Sequence, residues 1–207
     1  MDEQRFHRQH VKCLKQGYWV TNMGQTDEVR TQRDDAPIRD EDVERGFKYE
    51  VARQFGGEGL LRCLKCGACS GGCPVGAVTD YRPRKVLGNV LLGLKDLVLT
   101  SDDIWMCAAC FTCEERCVQE VNFTDIVTIL RNMAVKERYA AEGYLEMART
   151  VVAHGRVVPK TFAVDRMREN LGLPPLQEPA MEEISKIIHA SGFDKILALY
   201  KGRDTSR

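Results

Sequence analysis

Eight of the nine cysteines in this 207-residue chain fall into two runs. The first is Cys63-x2-Cys66-x2-Cys69-x3-Cys73, followed by Pro74, and the second is Cys107-x2-Cys110-x2-Cys113-x3-Cys117. This spacing suits a [4Fe–4S] cubane, in which each of four irons needs one thiolate. Three cysteines at every third residue wrap a short loop around one face of the cube. The fourth points away, and in two-cluster proteins it ligates the other cluster. One cluster is therefore assigned to Cys63, Cys66, Cys69 and Cys117, and the other to Cys107, Cys110, Cys113 and Cys73. The expected cofactors are two [4Fe–4S] clusters, held close enough together for electrons to tunnel between them.

Zinc is the rival metal. Structural zinc sites usually pair two Cys-x2-Cys knuckles across a long spacer, whereas here all four cysteines lie within 11 residues, twice over. Disulfides fit a reducing compartment poorly, and the odd cysteine total fits a closed disulfide framework no better. Gly67, Ala68, Ser70, Gly71 and Gly72 are small, so backbone N–H groups can approach the sulfides. The second loop carries Phe111, Thr112, Glu114 and Glu115, so the two clusters are expected to differ in potential. Val118 stands where the first run has Pro74; it removes a chain stop but no ligand.

The elements that must carry these loops read as helices. Val43, Phe47, Val51 and Phe55 form one stripe stopping near Gly56–Gly57. Val86, Leu87, Val90, Leu91 and Leu94 form another, with Asp80 as the expected N-cap and Pro83 in the first turn. Thr100 and Ser101 mark a helix start before the second cysteine run. Ile126, Ile129, Leu130 and Met133 form a third stripe, with Thr124 or Asn122 as cap. Further stripes end at Gly155, Gly172 and Gly192. Period-2 alternation is almost absent, so the fold is expected to be all-α. CLKCGACSGGC and CAACFTCEERC share one spacing, each between helices, which makes them an internal repeat. The expected organisation is an N-terminal extension over 1–36, a two-cluster helical domain over 37–142, and a C-terminal helical docking region over 143–207.

Composition narrows the function. Thirty basic and thirty acidic side chains give zero formal charge, which offers no electrostatic reason to expect nucleic acid as a partner. MDEQRFHRQHVKCLKQ has no apolar core of a secretory signal. No segment approaches the ~20 apolar residues of a spanning helix, so a cytoplasmic protein without membrane insertion is expected. The sequence holds no nucleophile–base pair, phosphate loop or flavin fingerprint; GGEG at 56–59 is not one. No residue is assigned a catalytic role.

The 33 residues separating Cys73 from Cys107 read as helical, which resembles the α-helical ferredoxin fold more than the small β-rich ferredoxins. CLKCGACSGGCPV, DYRPRKVLGNVLLGLKD, SDDIWMCAACFTCEERC and NFTDIVTILRNMAVKE together resemble the C subunit of heterodisulfide reductase. The resemblance covers roughly residues 58–140 and extends loosely into VVAHGRVVPKTFAVDRMRENLGLPPL. It implies an electron relay that performs no substrate chemistry itself. Electrons would pass from a flavin-bearing A subunit to a catalytic B subunit with non-cubane clusters, which in methanogens reduces the coenzyme M–coenzyme B disulfide. A hydrogenase or formate dehydrogenase module is the implied further component of a larger assembly. Two alternatives stay open: a relay subunit of a related complex acting on another sulfur or organic substrate, and a free-standing ferredoxin. The neutral charge and long helical tail favour docking over free diffusion.

Other features have plainer readings. Cys13 with His7 and His10 lacks a fourth ligand and reads as a terminal turn with a free thiol. His154 and His189 sit late in helices, where they can meet terminal carbonyls. Arg82, Arg84 and Lys85 read as a solvated face or a docking patch, and Trp105 and Phe111 as core or as a shield over the second cluster.

Overall fold

A computed structural model describes residues 37–200. The chain divides into two units, Met1–Glu41 and Asp42–Arg207, and every helix named below lies in the second. The expected extension over 1–36, with Cys13, His7 and His10, lies outside the described residues. Among the described residues there is no strand, as the missing period-2 pattern requires.

The cluster-bearing half begins with α1 (Phe47–Ala52) and a 3-10 turn (Glu58–Arg62). Two short helices, α2 (Ala68–Gly71) and α3 (Pro74–Val78), precede the longer α4 (Pro83–Leu92). Then come α5 (Lys95–Leu99), α6 (Asp103–Met106), α7 (Thr112–Glu115) and the fourteen-residue α8 (Phe123–Lys136). The core forms where apolar stripes meet: Phe47 and Val51 of α1, Val86, Leu87 and Val90 of α4, and Ile126, Val127, Leu130 and Ala134 of α8 are all buried. These α8 positions recur at three- and four-residue intervals, one face of a 3.6-residue turn. Each fully buried aliphatic side chain contributes about 1.5–3 kcal/mol, and α8 packs against both α6 and α7, which lead into and carry the second cysteine run.

Several boundaries depart from the sequence reading. The α1 stripe stops at Val51; Phe55 lies beyond the helix and is 98% exposed. Asp80 is not the cap of α4: Arg82 occupies that position, and Pro83 does take the first helical place. Leu94 is buried but falls just after α4, because Gly93 turns the chain with φ +85. Asn122 takes the expected N-cap position of α8, but its side chain makes no capping hydrogen bond. Instead Thr124 N–H donates to Glu114 Oε1 at 2.7 Å, so the second cysteine run supplies the acceptor that the helix start needs. Ser101 fulfils its expectation differently, its Oγ accepting from Asp103 N–H at 3.0 Å.

The tail consists of α9 (Glu142–His154), α10 (Phe162–Asn170), α11 (Met181–Ser191) and α12 (Phe193–Ala198). Gly155 and Gly192 end their helices in the left-handed conformation, as expected. Beyond Gly192, where the last expected stripe ends, the chain forms one more short helix, α12. Leu145 of α9 is buried, and α10, α11 and α12 contribute no buried side chain. Tyr200, buried, donates its hydroxyl hydrogen to Val135 O at 2.7 Å and ties the chain after α12 to α8. Val158, Phe162, Met167, Leu171 and Ile187 are left exposed.

Candidate metal centre

The repeated cysteine spacing is matched by a repeated backbone. Cys63 and Cys107 leave their preceding turns with nearly the same dihedrals, φ −64, ψ 117 and φ −63, ψ 120. Lys65 and Ala109 both adopt positive φ, and so do Gly67 and Phe111. The loops then enter short helices at equivalent positions, α2 and α7. A left-handed residue is costly unless it is glycine, so its recurrence at matching positions marks a loop wound for a purpose other than its own comfort. After the fourth cysteine the halves diverge. Cys73 caps α3 with Pro74 at its first position, whereas the chain after Cys117, with Val118 in the matching place, turns through residues 118–122 before α8 begins.

The eight thiols surround two hollows. One, open to solvent, is lined by Cys63, Cys66, Cys69 and Cys117, with Cys113 at its wall. The other, also open to solvent, is lined by Cys73, Cys107, Cys110 and Cys113. Cys113 and Phe123 border both. Among the described residues, no three His, Cys, Asp or Glu side chains close on one point as a single metal ion requires. Thiols standing round a hollow suit a cube that takes one ligand at each of four corners. Backbone N–H groups already point at three of the sulfurs: Lys65 N–H donates to Cys63 Sγ, Gly76 N–H to Cys73 Sγ and Val121 N–H to Cys117 Sγ, each at 3.4 Å. Such donors stabilise thiolate charge. The donor set, four thiols bordering each hollow, fits [4Fe–4S] groups.

The thiols differ in environment. Burial pushes Cys69 up, and burial followed by the charges of Glu114 and Cys107 pushes Cys113 up to about 11. Cys110 is exposed, and the Thr112 hydroxyl, 3.6 Å from its sulfur, lowers its pKa. Two hydroxyls at the second hollow stand out. The buried side-chain polar atoms without a hydrogen-bond partner among the described residues are the Tyr81 hydroxyl and Thr124 Oγ1. Both residues line that hollow. Burial, then the charges of the Cys107 and Cys73 sulfurs, then the donation of its hydroxyl toward Cys107, raise the Tyr81 pKa far above its ordinary 10.0; that approach to Cys107 falls short of a well-formed hydrogen bond.

Arginines frame both loops. Arg131 of α8 donates through Nε to Ile104 O at 2.7 Å and through Nη2 to Cys107 O at 2.8 Å and Trp105 O at 3.3 Å. Its guanidinium also lies 5.8 and 5.7 Å from the ring centres of Trp105 and Tyr144. Arg82 Nη1 donates to Gly76, Thr79 and Tyr81 carbonyls, each at 2.8 Å. It thus ties the turn after α3 while staying on the exposed face that it shares with Arg84 and Lys85. Arg84 lines the first hollow. Trp105 packs on Tyr144, and Phe111 is half exposed; neither shields the second hollow, which is walled by Tyr81, Pro83, Phe123 and Thr124 among others. His189 Nδ1 pairs with Asp194 Oδ2 at 2.8 Å on the surface. The Arg131 clamp and the two hydroxyls went unread in the sequence. Their partners are 24 to 27 positions away or belong to another motif, and no local period signals them.

Residues 59–121 match the family model described as a 4Fe-4S dicluster domain. The chain is also similar over most of its length to archaeal proteins. One is the C subunit of the H(2):CoB-CoM heterodisulfide,ferredoxin reductase of Methanothermobacter marburgensis, 36% identical across 80% of this chain and 92% of its own. The iron-sulfur C subunit of the CoB--CoM heterodisulfide reductase of Methanopyrus kandleri is 38% identical across 79% of this chain and 92% of its own. The protein of that name numbered 2 in Methanocaldococcus jannaschii is 39% identical, across 79% of this chain and 94% of its own.

Proposed function

The chain belongs to the family of heterodisulfide reductase C subunits, and from that footing we propose that it is the cytoplasmic relay between a flavin-bearing A subunit and a catalytic B subunit, in a complex reducing the coenzyme M–coenzyme B disulfide. It is an oxidoreductase subunit whose cofactors are two [4Fe–4S] clusters. Among the described residues, no helix is long and apolar enough to cross a membrane. When bound, the clusters supply sites that take up and release one electron at a time.

The chain's own residues hold and insulate those sites. Cys63, Cys66, Cys69 and Cys117 would hold one cluster and Cys73, Cys107, Cys110 and Cys113 the other. The observation that carries this reading is that two hollows, each bordered by one of these sets, share Cys113 and Phe123 as a common wall. A shared wall keeps the transfer distance short. Arg131 and Arg82 tie down the loop ends, so the sulfurs need not move when the charge changes. Residues 143–207 would dock a partner of the complex, and the apolar side chains exposed along α10 and α11 support that role.

Anaerobic co-purification of the full chain, with iron and acid-labile sulfide counted, tests the proposal. The expected result is about eight of each per chain, together with a flavoprotein and a second cysteine-rich protein. A lone chain holding zinc and no acid-labile sulfide refutes it.

A further inference from the structure

The two orphaned hydroxyls point to a tuning device on one side of the relay. A buried hydroxyl without a partner is destabilising, and native chains rarely leave one so. Here there are two among the described residues, Tyr81 at 1% exposure and Thr124 at 7%. Both border the second hollow, and neither borders the first. Each is a donor without a well-formed hydrogen bond, and the side chains that this hollow offers as acceptors are sulfurs, Cys73, Cys107, Cys110 and Cys113; the Tyr81 hydroxyl already faces that of Cys107.

Their backbones are fixed beforehand. Tyr81 N–H donates to Thr79 Oγ1 at 3.2 Å, and Tyr81 O accepts from Arg82 at 2.8 Å. Thr124 N–H is held by Glu114 at 2.7 Å, and Thr124 O accepts from the Thr128 hydroxyl at 2.9 Å. Outer groups so held are what orient ligands and tune a metal group. The first hollow is served differently. Lys65 and Arg84 border it, but both are exposed, and solvent screens their charges.

We propose that the Tyr81 and Thr124 hydroxyls donate hydrogen bonds to sulfur of the second cluster and raise its reduction potential, leaving the first cluster unaffected. A hydrogen bond to cluster sulfur strengthens as negative charge is added, so it favours the reduced form. The proposal rests on the two-cluster reading above and assigns each side of the relay its own control.

The test is an anaerobic, EPR-monitored redox titration of the full chain after iron and sulfide have been counted. Tyr81→Phe and Thr124→Val are compared with wild type, with Thr124→Ser as the variant that keeps a hydroxyl. Cys110→Ser identifies the wave of the second cluster by perturbing it. Each hydroxyl loss is expected to shift that one wave to lower potential by about tenfold in the reduction equilibrium, ~59 mV for one electron. The other wave stays in place, and Thr124→Ser behaves as wild type. In D2O, pulsed EPR of the wild type should show exchangeable deuterons coupled to the reduced second cluster, lost in the double variant. Shifts on different waves, no shift with both clusters present, or couplings that survive in the double variant overturn the proposal. The last of these would assign the protons to water. A wild-type chain without two clusters overturns the relay reading itself, and the metal count separates that failure from the others.

Discussion

Replacing Arg131 by methionine removes the guanidinium that holds three stations of the second loop's entry while keeping an unbranched apolar stem. Two of its bonds are short, at 2.7 and 2.8 Å, and the third is long, at 3.3 Å. Hydrogen bonds to charged groups contribute about 1.5–3 kcal/mol each. Arg131 is half-buried, so the lower end applies, and the two short bonds sum to about 3 kcal/mol. Its contact with Trp105 and Tyr144 adds about 0.5 kcal/mol, part of which methionine recovers by packing. At roughly 1.4 kcal/mol per tenfold, the loop around Cys107 should open about 100-fold more often. Chelator-driven bleaching of cluster absorbance, followed anaerobically, reads that opening directly. Arg131→Lys keeps the charge but cannot span Ile104 O and Cys107 O with a planar fork, so it should fall between. Equal bleaching rates for Arg131→Met and wild type would refute the reasoning, because they would mean that α8 does not hold the loop through this side chain.

Two further outcomes follow from the same geometry. Gly67 and Phe111 occupy matching left-handed positions, so Gly67→Ala should cost about 1 kcal/mol of strain, since only Arg84 side-chain atoms, the nearest at 3.5 Å, approach the added carbon. Phe111→Gly should then be more stable than Phe111→Ala by about 0.5–1 kcal/mol in anaerobic denaturation, reversing the usual order of those residues. Lys95 Nζ lies 2.9 Å from Glu137 Oε1, and that hydrogen bond raises its pKa above the ordinary 10.5. Because the folded pKa is the higher one, the stabilisation is complete below the unfolded value and disappears as pH rises through the folded value. Lys95→Met should therefore cost at most about 1 kcal/mol at neutral pH, and denaturation midpoints of variant and wild type should converge at strongly alkaline pH.

What could be read from the chain was what local order encodes. The stripes of α4 and α8, the ends at Gly155 and Gly192 and the paired cysteine loops all depend on neighbours within one or two turns. Phe55 fits its stripe by spacing, yet Gly56 at φ +89 and the tight turn around it end the helix first. Asp80 looks like a cap, but the turn after α3 is tied by Arg82, whose three carbonyl bonds fix where α4 can start. Tyr81 and Thr124 each sit beside a cysteine run in sequence. Only packing reveals that their hydroxyls end up unpaired at the same hollow. A tyrosine next to a proline-initiated helix carries no signal of that kind.

The common wall also bears on how the cofactors are loaded. Cys113 and Phe123 border both hollows, and each cysteine run, on the crossed assignment, lends its last thiol to the neighbouring hollow. A chain given a single cluster would already have parts of both loops clamped, including one side of the vacant hollow. Insertion of the second cluster would then meet a site partly organised by the first. Half-loaded chains should be scarce at equilibrium, and maturation should behave as a single cooperative event with two metal groups rather than as two independent fillings.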